Sequence, residues 1–185
     1  MNDYKPTLTD QEFWEIINTI PDNSNITENV FPEAEEQILK IYEILSKLPK
    51  DKLYDFYHIH TQYYHKLYNH NVWGIAFLQL GGCSDDSFMD YRGWLIFQGK
   101  EQVELALNTP DELHKLVYKW GEEGGLEGYN YIIPELFQHL YKEEPTINLE
   151  HPSEPSGEPW EDEDELYKKY PKSAKASDEA FGRND

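Results

Sequence analysis

The chain has 185 residues, 38% hydrophobic and 28% charged, with 36 acidic against 16 basic residues and a formal net charge of −20. That length fits one domain with a core of its own, and a field of that sign works against binding nucleic-acid phosphates or anionic lipid. No apolar run approaches the roughly 18–20 residues of a membrane span; the longest, residues 72–80, is broken by Gly74 and Gln79.

Thr9-Asp10-Gln11-Glu12 has the form of a capping box, with Thr9 as N-cap and Glu12 reaching back. The helix it opens carries Phe13, Trp14, Ile16 and Ile17 and ends at Pro21. Residues 22–30 are polar and rich in asparagine, which predicts a loop. Pro32 suits the first turn of a second helix, where Glu33, Glu35 and Glu36 favour the positive end of the dipole. Ile38, Ile41, Leu45 and Leu48 recur at spacings of three and four, and Pro49 closes the element. A third helix is expected over residues 50–69, with Leu53, Phe56, Tyr57, Tyr63, Tyr64 and Leu67 near one face. Their rings would point inward while the tyrosine hydroxyls seek partners.

Residues 72–80 predict a short buried helix stopped by Gly81-Gly82. Ser84 is the expected cap of the next helix, with Asp85 and Asp86 in its first turn and Phe88, Tyr91, Trp94 and Leu95 as apolar positions. Gly99 kinks or divides that helix before residues 103–107. Thr109-Pro110-Asp111-Glu112 is a strong helix start, an N-cap followed by proline and two acids. The helix it predicts holds Leu113, Leu116, Val117 and Trp120 and stops at Gly121. Gly124, Gly125 and Gly128 form a flexible connection to a last helix with Ile132, Ile133, Leu136, Phe137 and Leu140, Pro134 lying in its first turn. No alternation is long enough to predict a strand, and no internal repeat is present.

From Glu143 onward there are 13 acidic and 5 basic residues, five prolines and few large apolar side chains. Such a composition does not offset the entropy of ordering, although Pro159-Trp160 and Leu166-Tyr167 can dock locally. The expected fold is therefore mainly α: a compact multi-helix single domain over residues 1–142 with an acidic, largely disordered C-terminal tail over residues 143–185.

Specific chemistry is best placed in residues 81–93. Two glycines allow a tight or positive-φ backbone path, and a cysteine, a serine and two aspartates follow at a helix start. Arg92 falls nearly two turns later. It is one of only two arginines in the chain, and the other, Arg183, lies in the tail. Its planar fork suits a bidentate hold on a carboxylate or phosphate. The candidate binding residues are Cys83, Ser84, Asp85, Asp86, Asp90, Arg92 and Trp94. The plainer alternative gives Asp85 and Asp86 to the helix dipole and Arg92 to an internal ion pair with Asp90 or a more distant acid. Cys83 is either a thiol activated at a helix N-terminus or a small buried side chain; the aspartates beside it work against activation.

His58, His60, His65 and His70 cluster on or after the third helix, but their gaps of two, five and five do not match helical metal-ligand spacing. They read as packing beside tyrosines, and no metal or cofactor site is expected. Trp14, Trp73, Trp94 and Trp120 read as core, and the glycines at 121, 124, 125 and 128 lack the features of a phosphate loop.

Trp73-Gly74, the run Gly81-Gly82-Cys83-Ser84-Asp85-Asp86-Ser87-Phe88, and Tyr91-Arg92-Gly93-Trp94-Leu95-Ile96 with Gly99 resemble the bacterial domain-of-unknown-function family 4240 (DUF4240). Phe13-Trp14 and residues 108–113 are similar too, so the likeness spans roughly residues 9–142. It implies a bacterial, stand-alone helical domain and carries no settled activity. Members often continue into an acidic stretch like Pro159-Trp160-Glu161-Asp162 and a basic-aromatic end. Here the end is Tyr170-Pro171-Lys172-Ser173-Ala174-Lys175, without the aromatic finish.

The leading functional expectation is a protein-binding or regulatory module, of an immunity-like or adaptor kind, whose acidic surface engages a basic partner. The alternative is a small-molecule-binding protein or enzyme in which Asp85, Asp86 and Asp90 do carboxylate acid/base work while Arg92 holds an anionic group. Nucleic-acid mimicry, with acids arranged in a stripe, is a third reading; otherwise neither nucleic acid nor membrane is an expected partner. A single cysteine and an N-terminus without a basic region and apolar stretch point to the reducing cytoplasm.

Overall fold

The computed structural model describes residues 4–20, 30–116 and 126–183, with side chains from residue 35 onward in the second stretch. α1 (Asp10–Ile17) starts at the predicted capping box. Glu12 N donates to the Thr9 hydroxyl, and Thr9 N donates to the Glu12 carboxylate at 2.7 Å. α2 (Val30–Leu45) and α3 (Lys50–Lys66) follow, with Pro49 at the N-cap of α3. α4 (His70–Leu80) ends as expected at Gly81, whose left-handed φ of 66° lets the last turn close. α5 (Asp85–Phe97) is capped by the Ser84 side chain, which accepts from Ser87 N. Gly99 separates it from α6 (Lys100–Asn108).

Thr109-Pro110 starts a 3-10 turn (Pro110–Lys115) instead of the expected α-helix, and the remainder of that expected helix lies outside the described residues. The loop expected over 22–30 and the glycine connection before Gly128 lie largely outside them as well. α7 (Ile132–Tyr141) keeps Pro134 in its first turn. Two more helices, α8 (Glu163–Lys169) and α9 (Pro171–Phe181), complete the order. Among the described residues there is no strand, only a parallel bridge between Asn69 and Ser156, and no helix is long and apolar enough to cross a membrane.

α5 is the centre. Phe88 and every residue from Tyr91 through Phe97 are buried, so this helix is covered on all sides from Tyr91 onward. α3 packs on it, as do α4 and α6. The N-terminal segment is held to α3 by Asp55, which is 1% exposed. Its carboxylate accepts from Thr7 N and Thr7 Oγ1 at 2.8 Å, from Leu8 N at 2.9 Å, and from the Tyr4 hydroxyl. Nothing in the local pattern marks Asp55 as different from Asp51, the other acid of α3, because its partners lie nearly fifty residues earlier.

The expected disorder of residues 143–185 is corrected by the structure over 143–183. The chain first runs as a strap along α3: Tyr54 donates to the Thr146 carbonyl at 2.7 Å, and Ser156 N donates to the Tyr68 carbonyl at 3.0 Å. α9 then packs against α4 and the 3-10 turn, and α8 against α9, with its Leu166 reaching Gly74 of α4. Leu166, Tyr170 and Ala174 are buried, and the Ser177 hydroxyl donates to the Leu78 carbonyl at 2.6 Å. α9 also borrows its cap. Its Lys172 and Ser173 amides donate to the Asp111 carboxylate at 3.2 and 2.9 Å, satisfying two donors that a helix start leaves open. On α4, Gly74 supplies the room; a Cβ there would stand 2.7 Å from Leu166 Cδ2 and 3.3 Å from Tyr170. Mean composition hides this, because a few apolar residues meet a surface already shaped for them.

Two outcomes follow from the packing. Leu166→Ala is expected to lower the unfolding free energy by about 2–5 kcal/mol, against less than about 0.5 kcal/mol for exposed Lys168→Ala, as read by urea denaturation. Burial acts to raise the pKa of the Asp55 carboxyl, but hydrogen bonds from Tyr4, Thr7 and Leu8 prevail and hold it below the ordinary carboxylate value. Its contribution is therefore present above the unfolded-chain pKa of about 3.9 and is lost as pH falls through the lower folded value. Asp55→Asn is expected to flatten that acid limb in a pH series of urea midpoints.

Candidate functional site

The segment singled out in the sequence divides between surface and core. Ser84, Asp85 and Asp86 are exposed at the start of α5, where Ser84 caps and the two aspartates face the positive end of the dipole. Cys83 lies just before the cap. Its carbonyl accepts from Trp73 Nε1 at 3.0 Å, and Trp73 in turn stacks on Phe88 with ring centres 4.9 Å apart. Burial pushes the Cys83 thiol up to about 12, with Asp85 and Asp90 adding to the effect. Trp94 is buried in the core.

Arg92 is turned inward and is 1% exposed. Its guanidinium carbon stands 4.0 Å from the ring centre of Tyr64, 4.6 Å from Tyr68 and 5.0 Å from Phe88. Nη1 donates to the Tyr64 carbonyl at 3.1 Å and Nη2 to the Tyr64 hydroxyl at 3.3 Å. Nε has no hydrogen-bond partner, and none of the ion pairs among the described residues includes this arginine. The expected pairing with an aspartate is replaced by an aromatic cage. Burial lowers the guanidinium pKa, but it stays a cation at neutral pH.

Asp90, half-buried, takes a different partner: Asn130 Nδ2 donates to it at 3.1 Å and to the Met89 carbonyl at 3.0 Å. Gly93 makes this approach possible, since a Cβ there would stand 2.2 Å from Asn130 Oδ1. Burial raises the Asp90 carboxyl pKa, opposed by the Asn130 hydrogen bond. The candidate residues are thus not gathered around one space; Asp85 and Asp86 face solvent while Arg92 and Trp94 lie inside.

Two openings lie along α3. The first is a cavity of about 260 Å³ lined by Tyr57, His60, Thr61, Tyr64, His65 and Asn130. His60 is buried, its Nε2 has no hydrogen-bond partner, and burial holds its pKa down to about 4. From the strap, His151 sits over the neighbouring edge, 4.9 Å from His65 and from Tyr68 between ring centres. The second is a broad groove of about 670 Å³ where α3, α7, the N-terminal segment and the strap meet. Tyr4, Tyr54 and Phe137 give it aromatic walls, and Asp51, Glu143 and Glu144 bring carboxylates to its edge. Lys50 bonds to Glu143 at 2.5 Å there, with its ammonium 5.1 Å from the Tyr141 ring centre.

Sequence reasoning assigned the α3 histidines and tyrosines to packing. The spacing of His60 and Tyr64 by four places them on one face, a signal for the cavity wall, whereas nothing local marks Asn130 or the strap. Among the described residues, no group of three or more histidine, cysteine, aspartate or glutamate side chains could hold a metal ion.

A family model described as "Protein of unknown function (DUF4240)" matches residues 8–139. No curated protein and no solved structure matches the chain. The matched stretch covers α1 through most of α7 and stops before the strap, α8 and α9.

Since the thiolate is the reactive form, Cys83 is expected to alkylate with iodoacetamide at pH 8 far more slowly than glutathione. The rate should rise to the glutathione level in denaturant, as followed by mass spectrometry.

Proposed function

Because the chain belongs to the DUF4240 family, whose description names no activity, we propose from the geometry that it is a binding module engaging a basic protein partner. The observation that carries this is the α3–α7 groove, with its aromatic walls and carboxylate edge, on a chain of net charge −20. A lysine or arginine side chain fits such a site on two counts. Its methylenes lie on Tyr54 and Tyr4, and its charged head meets Asp51 and Glu144. Lys50, on the Tyr141 ring and bonded to Glu143, already makes this kind of contact within the chain. The surrounding field raises the encounter rate with a basic surface and falls off with salt. A single cysteine fits a bacterial cytoplasmic setting.

A fluorescein-labelled octalysine peptide, followed by anisotropy at low and at physiological salt, tests the reading. Any acidic protein attracts this probe, so the comparison is between two doubly neutralised variants. Asp51→Asn with Glu144→Gln, in the groove, is expected to weaken binding about 3- to 10-fold, the worth of two exposed ion pairs. Glu161→Gln with Glu163→Gln, away from it, should lose clearly less. Tyr54→Phe keeps the ring but releases the Thr146 carbonyl, so the ring is read from the difference between the two variants: Tyr54→Ala should bind more weakly than Tyr54→Phe. Equal losses for the two neutralised pairs would remove the groove from the account.

A further inference from the structure

Arg92 poses a question that a basic partner does not answer. Thirty-six acidic residues are present, yet the one arginine in the core has no carboxylate beside it among the described residues. Its charge is balanced by rings and by two oxygens of Tyr64. The Tyr64 hydroxyl accepts from Arg92 and so keeps its own proton to donate. That hydroxyl belongs to a residue of the cavity wall. On the same wall stands the buried His60 imidazole, which has no hydrogen-bond partner at Nε2, and a buried polar group in that state costs free energy.

We infer that this cavity on α3 is a binding site for the oxyanion group, carboxylate or phosphate, of a small molecule, received by the Tyr64 hydroxyl and a ring N–H of His60 with the Arg92 charge directly behind Tyr64. The site lies apart from the octalysine groove and does not depend on it. Arg92 acts through Tyr64, as a positioning residue: its hydrogen bond orients the hydroxyl and its field makes the proton a better donor to an anion. His60 as the neutral imidazole can present a ring N–H to the same group, and its low pKa rises once an anion is beside it. Asp90 sets the limit on one side. Asn130, which lines the cavity, donates a hydrogen bond to that carboxylate. At about 260 Å³ the space falls just below the roughly 300–1,000 Å³ of drug-sized ligand sites. The ligand is therefore small: a short-chain or single-ring acid or a simple phosphate ester, not a nucleotide. Tyr57 provides the apolar surface for its body.

The test is a chemical-shift titration of the full chain labelled with ¹⁵N, following the histidine rings and the backbone amides of residues 57–65. Inorganic phosphate, acetate and benzoate are added in separate arms, each matched for ionic strength with chloride. The expected result is a saturating shift of His60 and of the Thr61 and Tyr64 amides in at least one oxyanion arm, with His114 and His139 unmoved. The phosphate arm against the two carboxylate arms then says which oxyanion the site takes. Tyr64→Phe, which keeps the ring over Arg92 and removes the hydroxyl, should weaken that binding by about tenfold or more. If that variant does not fold, His60→Leu read on the backbone amides takes its place with the same expectation. The inference is overturned by no saturating shift up to about 50 mM of any arm, by equal shifts at His114 and His139, or by undiminished binding in the folded variant.

Discussion

An arginine withdrawn from water has to recover several kcal/mol of lost hydration, and Arg92 does so with no opposite charge alongside. Three aromatic rings at about 0.5–2 kcal/mol each and two hydrogen bonds to a charged donor at about 1.5–3 kcal/mol each bring the sum close to even. The arginine thus adds little stability of its own and fixes geometry instead. Tyr64 lies in the last turn of α3 and Tyr68 just beyond its end, and Phe88 and Arg92 are one turn apart on α5. Only one register lets all four meet. Once that register is set, Gly93 faces Asn130, Asp90 gains its partner, and the cavity beside His60 takes its shape.

The same helix serves both openings. Lys50, Tyr54, Tyr57, Thr61 and Tyr64 follow one another at spacings of three and four along α3. The first two border the groove and the last three line the cavity. From residue 54 to residue 64 the rise is about 15 Å, so a single stripe of one helix carries both. The strap runs over it: Thr146 accepts from Tyr54 at the groove end, and His151 packs near Tyr64 at the cavity end.

What could be read from the sequence was local. Thr9, Pro49, Gly81, Ser84 and Gly99 each start, stop or divide a helix within a few residues of themselves, and each does so in the structure. What could not be read was long-range. Asp111 has the right chemistry for its own helix start and in fact caps α9, 62 residues onward in the bond to Ser173. Asp55 is one acid among several until the N-terminal segment arrives at it. For Arg92 the sequence marks an unusual residue but not the nature of its surroundings. Local pattern places three rings and a guanidinium on expected helices without saying that the rings, rather than a carboxylate, will be what it meets. The tail failed as an expectation for the same reason: its order resides in Gly74 and the face of α4, not in its own composition.

That dependence has a consequence in time. Ser177 closes on Leu78 across 99 residues of sequence, and at the usual 5–20 residues per second of translation about 5–20 s separate the synthesis of the two. Throughout that interval α4 has been made but α8 and α9 have not, so the side of α4 around Gly74 is open to whatever apolar surface it meets first. The growing chain passes through a vulnerable stage that the finished molecule never displays, and its yield in the cell depends on how well that face is shielded until its own later residues reach it.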